Sequence, residues 1–175
     1  MDERSNEAFE EGFLLTVVGR KLQPADAAPD FELEHFDPVT NAMNAVTLAD
    51  SAGKVRLFNI VNSVDTPVCH IETKRWDASR AAIPGVELYT VSMDLPFGMA
   101  RWQTEAGVEH KMLSAHKNEQ FATDYGVLLK EWRLLQRAVV VVDADDKVVY
   151  AEYVADQMKE PDYDAALKAA SEAVR

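Results

Sequence analysis

The sequence predicts an α/β fold with a central mixed sheet and helices on both faces. Three observations carry that prediction. Residues 55–61, V-R-L-F-N-I-V, form a short and nearly continuous apolar run, which suits a central strand covered on both sides. A helical stretch follows it and then a second apolar strand at 86–91, an order that implies a right-handed parallel crossover. Residues 138–142 and 148–154 are strongly β-like runs around D-A-D-D, and read as an antiparallel hairpin.

The elements can be justified in order. Residues 1–12, M-D-E-R-S-N-E-A-F-E-E-G, are acidic and read as an N-terminal arm, either flexible or packed onto the domain. Residues 13–18 read as a strand with a turn at Gly19, and Pro24 and Pro29 mark an extended connection. F-E-L-E at 31–34 alternates apolar and charged, the pattern of a half-exposed strand, and 37–44 reads as a loop. Asn62 and Ser63 end the strand at 55–61, and Asp65 and Thr66 offer capping oxygens. Pro67 then suits a first helical position, and the helix ends near Pro84-Gly85. A helix over 97–106 is closed by Gly107; 109–116 reads as a loop with one short strand, and 118–125 as a short helix. The form of 128–136 stays open. An alanine-rich helix over 162–173, entered after Pro161, closes the chain.

Length and charge set bounds. A chain of 175 residues is read as one domain with a core that needs no staples. A net charge of −12 without a basic stripe argues against a nucleic-acid partner. No run of eighteen apolar residues suggests a membrane span, and the acidic N-terminus does not read as a secretory signal. The single cysteine, Cys69, excludes an intramolecular disulfide and fits a reducing compartment, so the expected location is cytoplasmic.

Cys69 falls in the first turn of the helix that Pro67 opens. Unpaired N–H groups and the positive dipole end there favour an ionised sulfur, the nucleophilic form. The bland alternative is a small buried hydrophobe. A thiolate that attacks a peroxide needs donors to hold the reacting oxygens and a cation for the anion that leaves. Thr66, three residues upstream, can offer a hydroxyl, or act as a plain N-cap. Arg137 begins a buried strand, where an unpaired guanidinium is costly. Its partner is either the Cys69 sulfur or one of the thirty acids.

Several blocks together resemble the thiol peroxidase branch of the peroxiredoxins, of thioredoxin-like fold. They are D-T-P-V-C at 65–69, V-S-M-D-L-P-F at 91–97, L-Q-R-A-V-V-V-V-D at 135–143, E-P-D-Y-D-A-A-L at 160–167 and, more widely shared, A-P-D-F-E-L at 28–33. They run in family order over nearly the whole chain. The resemblance implies an N-terminal β-hairpin and reduction of hydrogen peroxide or small organic hydroperoxides. It assigns Cys69 as the peroxidatic nucleophile, Thr66 as donor and Arg137 as cation. It implies no metal and no organic cofactor, an external reductant such as a thioredoxin-like protein or a low-molecular-weight thiol, and a homodimer.

Two departures stand out. Asn62 occupies the place of the family's proline, seven residues before the cysteine, and is more polar and less rigid; over-oxidation or weak activity is the expected consequence. Gln103 stands where the resolving cysteine aligns. A sulfenic acid on Cys69 therefore meets a separate thiol or a second copy of the chain, a one-cysteine mechanism. These departures support a rival reading, a catalytically degenerate redoxin-fold protein that binds a partner or senses redox state.

Other signals weigh less. His70, adjacent to Cys69, points about 100° away around a helix and is a poor base for it. His35, His110 and His116 lack metal-ligand spacing with Cys69. The acidic turn at 143–146 lacks the twelve-residue calcium-loop pattern.

Overall fold

A computed structural model describes residues 1–174. Seven strands form the main sheet in the order β11-β10-β5-β6-β7-β3-β4. These are β3 (Glu32–Asp37), β4 (Ala42–Thr47), β5 (Val55–Ile60), β6 (Val86–Ser92), β7 (Lys111–Ser114), β10 (Ala138–Val142) and β11 (Val148–Tyr153). β5, β6 and β7 run parallel and the other neighbours are antiparallel, so the sheet is mixed. The helices are α1 (Pro67–Ala78), α2 (Pro96–Ala106), α3 (Gln120–Asp124) and α4 (Tyr163–Ala173).

The continuous apolar runs have the expected cause. On β5, Phe58 and Ile60 face one core with Phe121 of α3, while Val55 and Leu57 face another with α1 and α4. β10 divides the same way, Val140 and Val142 against Val139 and Val141. Trp76 of α1 is fully buried in the second core and meets the Tyr163 ring of α4 at 4.8 Å between centroids. Truncating such a side chain to alanine costs about 3–5 kcal/mol. The sheet thus has helices on both faces, as the sequence predicts, and Trp76 fixes α1 in the same core as Val55 and Leu57 of β5 and Tyr163 of α4.

One charged residue inside β5 is fully satisfied. Buried Arg56 donates to Ser51 Oγ (2.8 Å), Leu48 O (3.1 Å) and Asp143 O (2.9 Å), and pairs with Asp146 at 2.7 Å. The acidic turn at 143–146 is therefore a hairpin turn that holds a buried cation. Such a cation is tolerated only because each face of its guanidinium finds an acceptor.

The N-terminus corrects the sequence reading. Of the two readings of the first twelve residues, the flexible arm is corrected and the packed-on one holds, as a strand: Glu3–Glu10 form β1, which pairs antiparallel with β2 (Phe13–Val18). The pair is the N-terminal hairpin that the family resemblance implies, and its turn lies at Glu11-Gly12 rather than at Gly19. Only Ala8 of β1 is fully buried, so the strand owes little to its own composition. Partners hold it instead. Phe9 N donates to Ala155 O (2.8 Å), Gln157 N to Phe9 O (2.9 Å) and Arg4 Nη2 to Gly126 O (2.8 Å). Gly19 and Gly126 have positive φ, and a Cβ on either would strike the other segment's backbone at Thr123 O or Arg20 O. The open stretch 128–136 joins the hairpin as two short strands, β8 (Leu128–Leu129) and β9 (Leu134–Leu135). The stretch 37–44, expected as a loop, instead holds the β3–β4 turn and the start of β4.

Candidate active site

β5 leaves the sheet at Ile60 and the chain turns through 61–66 into α1. Asp94, just past the end of β6, fastens that turn. Its carboxylate accepts from Ser63 Oγ (2.8 Å), Val64 N (2.9 Å) and Ser92 Oγ (2.7 Å). Thr66 is the N-cap residue with extended backbone, φ −86° and ψ 146°, and Pro67 takes the first helical position. The first helical bond runs from His70 N to Thr66 O (2.9 Å). Cys69 thus lies in the first turn of α1, and it is fully buried.

The Thr66 hydroxyl makes neither of the contacts the sequence suggests. It caps no helical N–H, and it donates to Ser63 O (2.9 Å), tying down the turn.

Arg137 stands just before β10 and is buried beside the helix start. Its Nη1 pairs with Glu72, one turn beyond Cys69 on α1. Its Nη2 donates to Gln157 O (2.8 Å) and to Asn62 Oδ1 (3.4 Å). Its backbone N donates to Gln157 Oε1 (2.9 Å). Burial pulls the guanidinium's pKa down, but Glu72 and then Cys69 push it up by more, so it stays charged. Of the two partners that the sequence leaves open, the ion pair goes to the acid, Glu72, while the Cys69 sulfur and the guanidinium meet at Asn62 Oδ1.

Glu72 is the residue that sequence reasoning missed. It is fully buried, and burial raises its carboxyl to about 7 against the opposing pull of Arg137. Its Oε1 and the Arg137 Nε find no hydrogen-bond partner among the described residues. The available signal was its place three residues after Cys69, on the same face of the helix.

Asn62 is wired into the same cluster. The Cys69 thiol donates to Asn62 Oδ1 at 3.9 Å. Asn62 Nδ2 donates to Leu135 O (2.6 Å) and Gln157 Oε1 (3.0 Å). A cleft of about 330 Å³ lies beside this cluster; Asn62, Thr66, Pro67 and Arg137 line it together with the apolar Trp132 and Met158, and Cys69 itself is buried behind that lining.

The histidines fall elsewhere. His70 Nδ1 accepts from the Trp102 indole N–H of α2 (3.0 Å), so its ring is turned away toward a neighbouring helix. His35 faces Met112 O, His116 faces Glu34, and His110 lies between Asp77 and Thr90. No cluster of metal-ligating side chains occurs among the described residues. Gln103 is buried on α2 and donates to His110 O (3.0 Å).

Residues 24–151 match the AhpC/TSA family. The chain is 43% identical over 165 residues to a thiol peroxidase of Halalkalibacterium halodurans, covering 94% of this chain and 96% of that one. It is 39% identical over 166 residues to the thiol peroxidase of Bacillus subtilis, with the same coverage. Among solved structures it is similar to a peroxiredoxin-like protein from Aquifex aeolicus, with a TM-score of 0.84, 28% identity, and coverage of 99% and 100% of the two chains. A thiol peroxidase from Chromobacterium violaceum shares the fold at TM-score 0.84 and 24% identity, over 98% of both chains.

Proposed function

The chain belongs to the AhpC/TSA family, and on that premise we propose that it is a thiol-dependent peroxidase that works through one cysteine. Cys69 attacks the terminal oxygen of hydrogen peroxide or a small organic hydroperoxide. The S–O bond forms as the O–O bond breaks. Sulfur is oxidised to sulfenic acid, and water or an alcohol leaves carrying the proton that the thiol gave up. An external thiol, from a thioredoxin-like protein or a small molecule, then condenses with the sulfenic acid and releases water. A further thiol frees Cys69.

The observation that carries this reading is the convergence of Arg137 on the first turn of α1, where it pairs with Glu72 and meets the Asn62 Oδ1 that Cys69 also faces, beside a cleft that Arg137 and Asn62 help to line. The guanidinium is a fixed, desolvated positive charge beside the sulfur, the form of help a departing oxyanion needs. Thr66 supplies a hydroxyl at the cleft wall; in this role it exchanges its bond to Ser63 O for one to the peroxide. No organic cofactor enters the reaction. The chain is read as one domain, acting in the cytoplasm and pairing as a homodimer, in keeping with its family resemblance and its single reduced cysteine. No helix among the described residues is long and apolar enough to cross a membrane.

The test is oxidation of reduced protein by stoichiometric peroxide, followed by intact mass. Rapid sulfenic acid on Cys69, absent in Cys69→Ser, is the expected result. A thiol that reacts no faster than free cysteine overturns the proposal in favour of a binding or sensing protein.

A further inference from the structure

The amide of Asn62 has one orientation. Gln157 Nε2 donates to Val154 O (2.7 Å) and Ala155 O (3.1 Å), so turning that amide over would set its oxygen against two carbonyls. Its Oε1 therefore faces Arg137 N and Asn62 Nδ2. Asn62 Nδ2 also faces Leu135 O, so the donor end of Asn62 meets two acceptors. The acceptor end, Oδ1, is left against the Cys69 sulfur and the Arg137 guanidinium. A proline, the residue that the family resemblance leads one to expect here, offers no such acceptor.

We propose that Asn62 is a catalytic residue of the peroxidase reaction, acting as the fixed hydrogen-bond acceptor for the protonated forms of the Cys69 sulfur, above all the sulfenic acid. The inference rests on the peroxidase reading above. When Cys69–SH is oxidised, an O–H replaces the S–H and meets the same Oδ1. A carbonyl oxygen accepts from a neutral S–O–H and repels an ionised S–O⁻. Over-oxidation runs through the ionised form: its sulfur attacks a second peroxide, a second S–O bond forms as that O–O bond breaks, the hydroxide released takes up the proton of the transferred oxygen and leaves as water, and the sulfinate remains. Reduction by an external thiol consumes the sulfenic acid instead, forming an S–S bond and water. Asn62 therefore protects the intermediate until the separate reductant arrives. This inverts the expectation from sequence, in which a polar residue at position 62 exposes the sulfur. The full burial of Cys69 and the closed polar wiring are the reasons for the inversion.

The experiment compares the wild type with Asn62→Pro and Asn62→Ala, each treated with excess hydrogen peroxide between pH 5 and 9, with sulfinic acid on Cys69 read by mass. One hydrogen bond to the neutral form corresponds to roughly a five- to tenfold rise in sulfinic yield without it. The rise of sulfinic yield with pH should also begin about one pH unit lower in both variants. A merely structural asparagine would not move that pH profile. Overlapping profiles, or lower yields in the variants, overturn the inference. Should the proline variant fail to fold, the alanine variant carries the comparison. A wild type that forms no sulfenic acid overturns the peroxidase reading itself; a wild type that does, with coincident variant profiles, overturns only the role of Asn62.

Discussion

Glu72→Gln removes one ionisable group from the most buried part of the site and keeps its size. The Glu72 carboxyl is raised from its ordinary 4.5 to about 7, first by burial, with Arg137 pulling the other way. Between those two values the unfolded chain has released the proton and the folded chain still holds it. Stability of the wild type therefore falls as pH rises through this window and levels off above about 7. Each unit of displacement corresponds to about 1.4 kcal/mol, so the whole window is worth about 3 kcal/mol. Glutamine cannot titrate. In urea unfolding between pH 4 and 8, the wild-type stability minus that of Glu72→Gln should fall by about 3 kcal/mol across the window. Parallel curves would refute the reasoning, because they would mean that Arg137 keeps Glu72 ionised throughout. The outcome bears on chemistry. A carboxyl whose ionisation is opposed by burial compensates the guanidinium's charge less fully than an exposed carboxylate would, and leaves more of it for the neighbouring groups.

Arg137→Ala should slow sulfenic acid formation by about a hundredfold or more, measured by rapid mixing with peroxide, since a desolvated cation at a developing anion is worth that much. It also strips the buried carboxyl of its cation, so its loss of stability should be larger at pH 8 than at pH 6; equal losses would argue against the pairing. Thr66→Val should slow the same oxidation about tenfold while Thr66→Ser restores it; a valine variant at full speed confines the hydroxyl to its bond with Ser63. Asp77 is held down to about 2; burial opposes this, but the bond from His110 and the backbone N–H groups of His110 and Glu109 outweigh it. The stability it confers is complete above its ordinary 3.8 and is lost as pH falls through about 2. Asp77→Asn should therefore unfold with a flatter acid profile, weakened near neutral pH by about 1 kcal/mol once solvent screening of this partly exposed group is allowed for, and unchanged acid unfolding would count against the network.

The parts of this fold legible in the sequence are those where one residue's pattern suffices. The runs at β5 and β10 are apolar on both faces because both faces are covered, and Pro67 marks a helix start by its own geometry. β1 was illegible because its residues are polar and its strand exists through β2 and the 155–157 segment. The same limit holds at the site. Cys69, Thr66 and Arg137 could be named from motifs. What the sequence could not give is how they are held: the Thr66 hydroxyl turned to Ser63, and Arg137 shared between Glu72, Gln157 and Asn62. Gln157 carries no local signal, and it matters only because β11 and β1 bring it beside β9 and β10.

The lack of a second cysteine and the wiring of the first belong to one physical argument. A chain that closes an internal disulfide must let its two sulfurs approach, so each must be able to leave its place. Here Gln103 of α2 is bound to His110 O; Cys69 is buried against Asn62, whose Oδ1 also meets Arg137; and His70, about 100° further around α1, is bonded to Trp102. Nothing in the reaction requires α1 and α2 to separate. A site free of that demand tolerates a buried ion pair and a fully bonded asparagine, which would otherwise resist opening. It follows that Trp102→Phe, which loosens the contact between the two helices, should lower stability by about 1 kcal/mol and leave the rate of Cys69 oxidation within twofold. A large change in that rate would mean that α2 takes part in the chemistry after all.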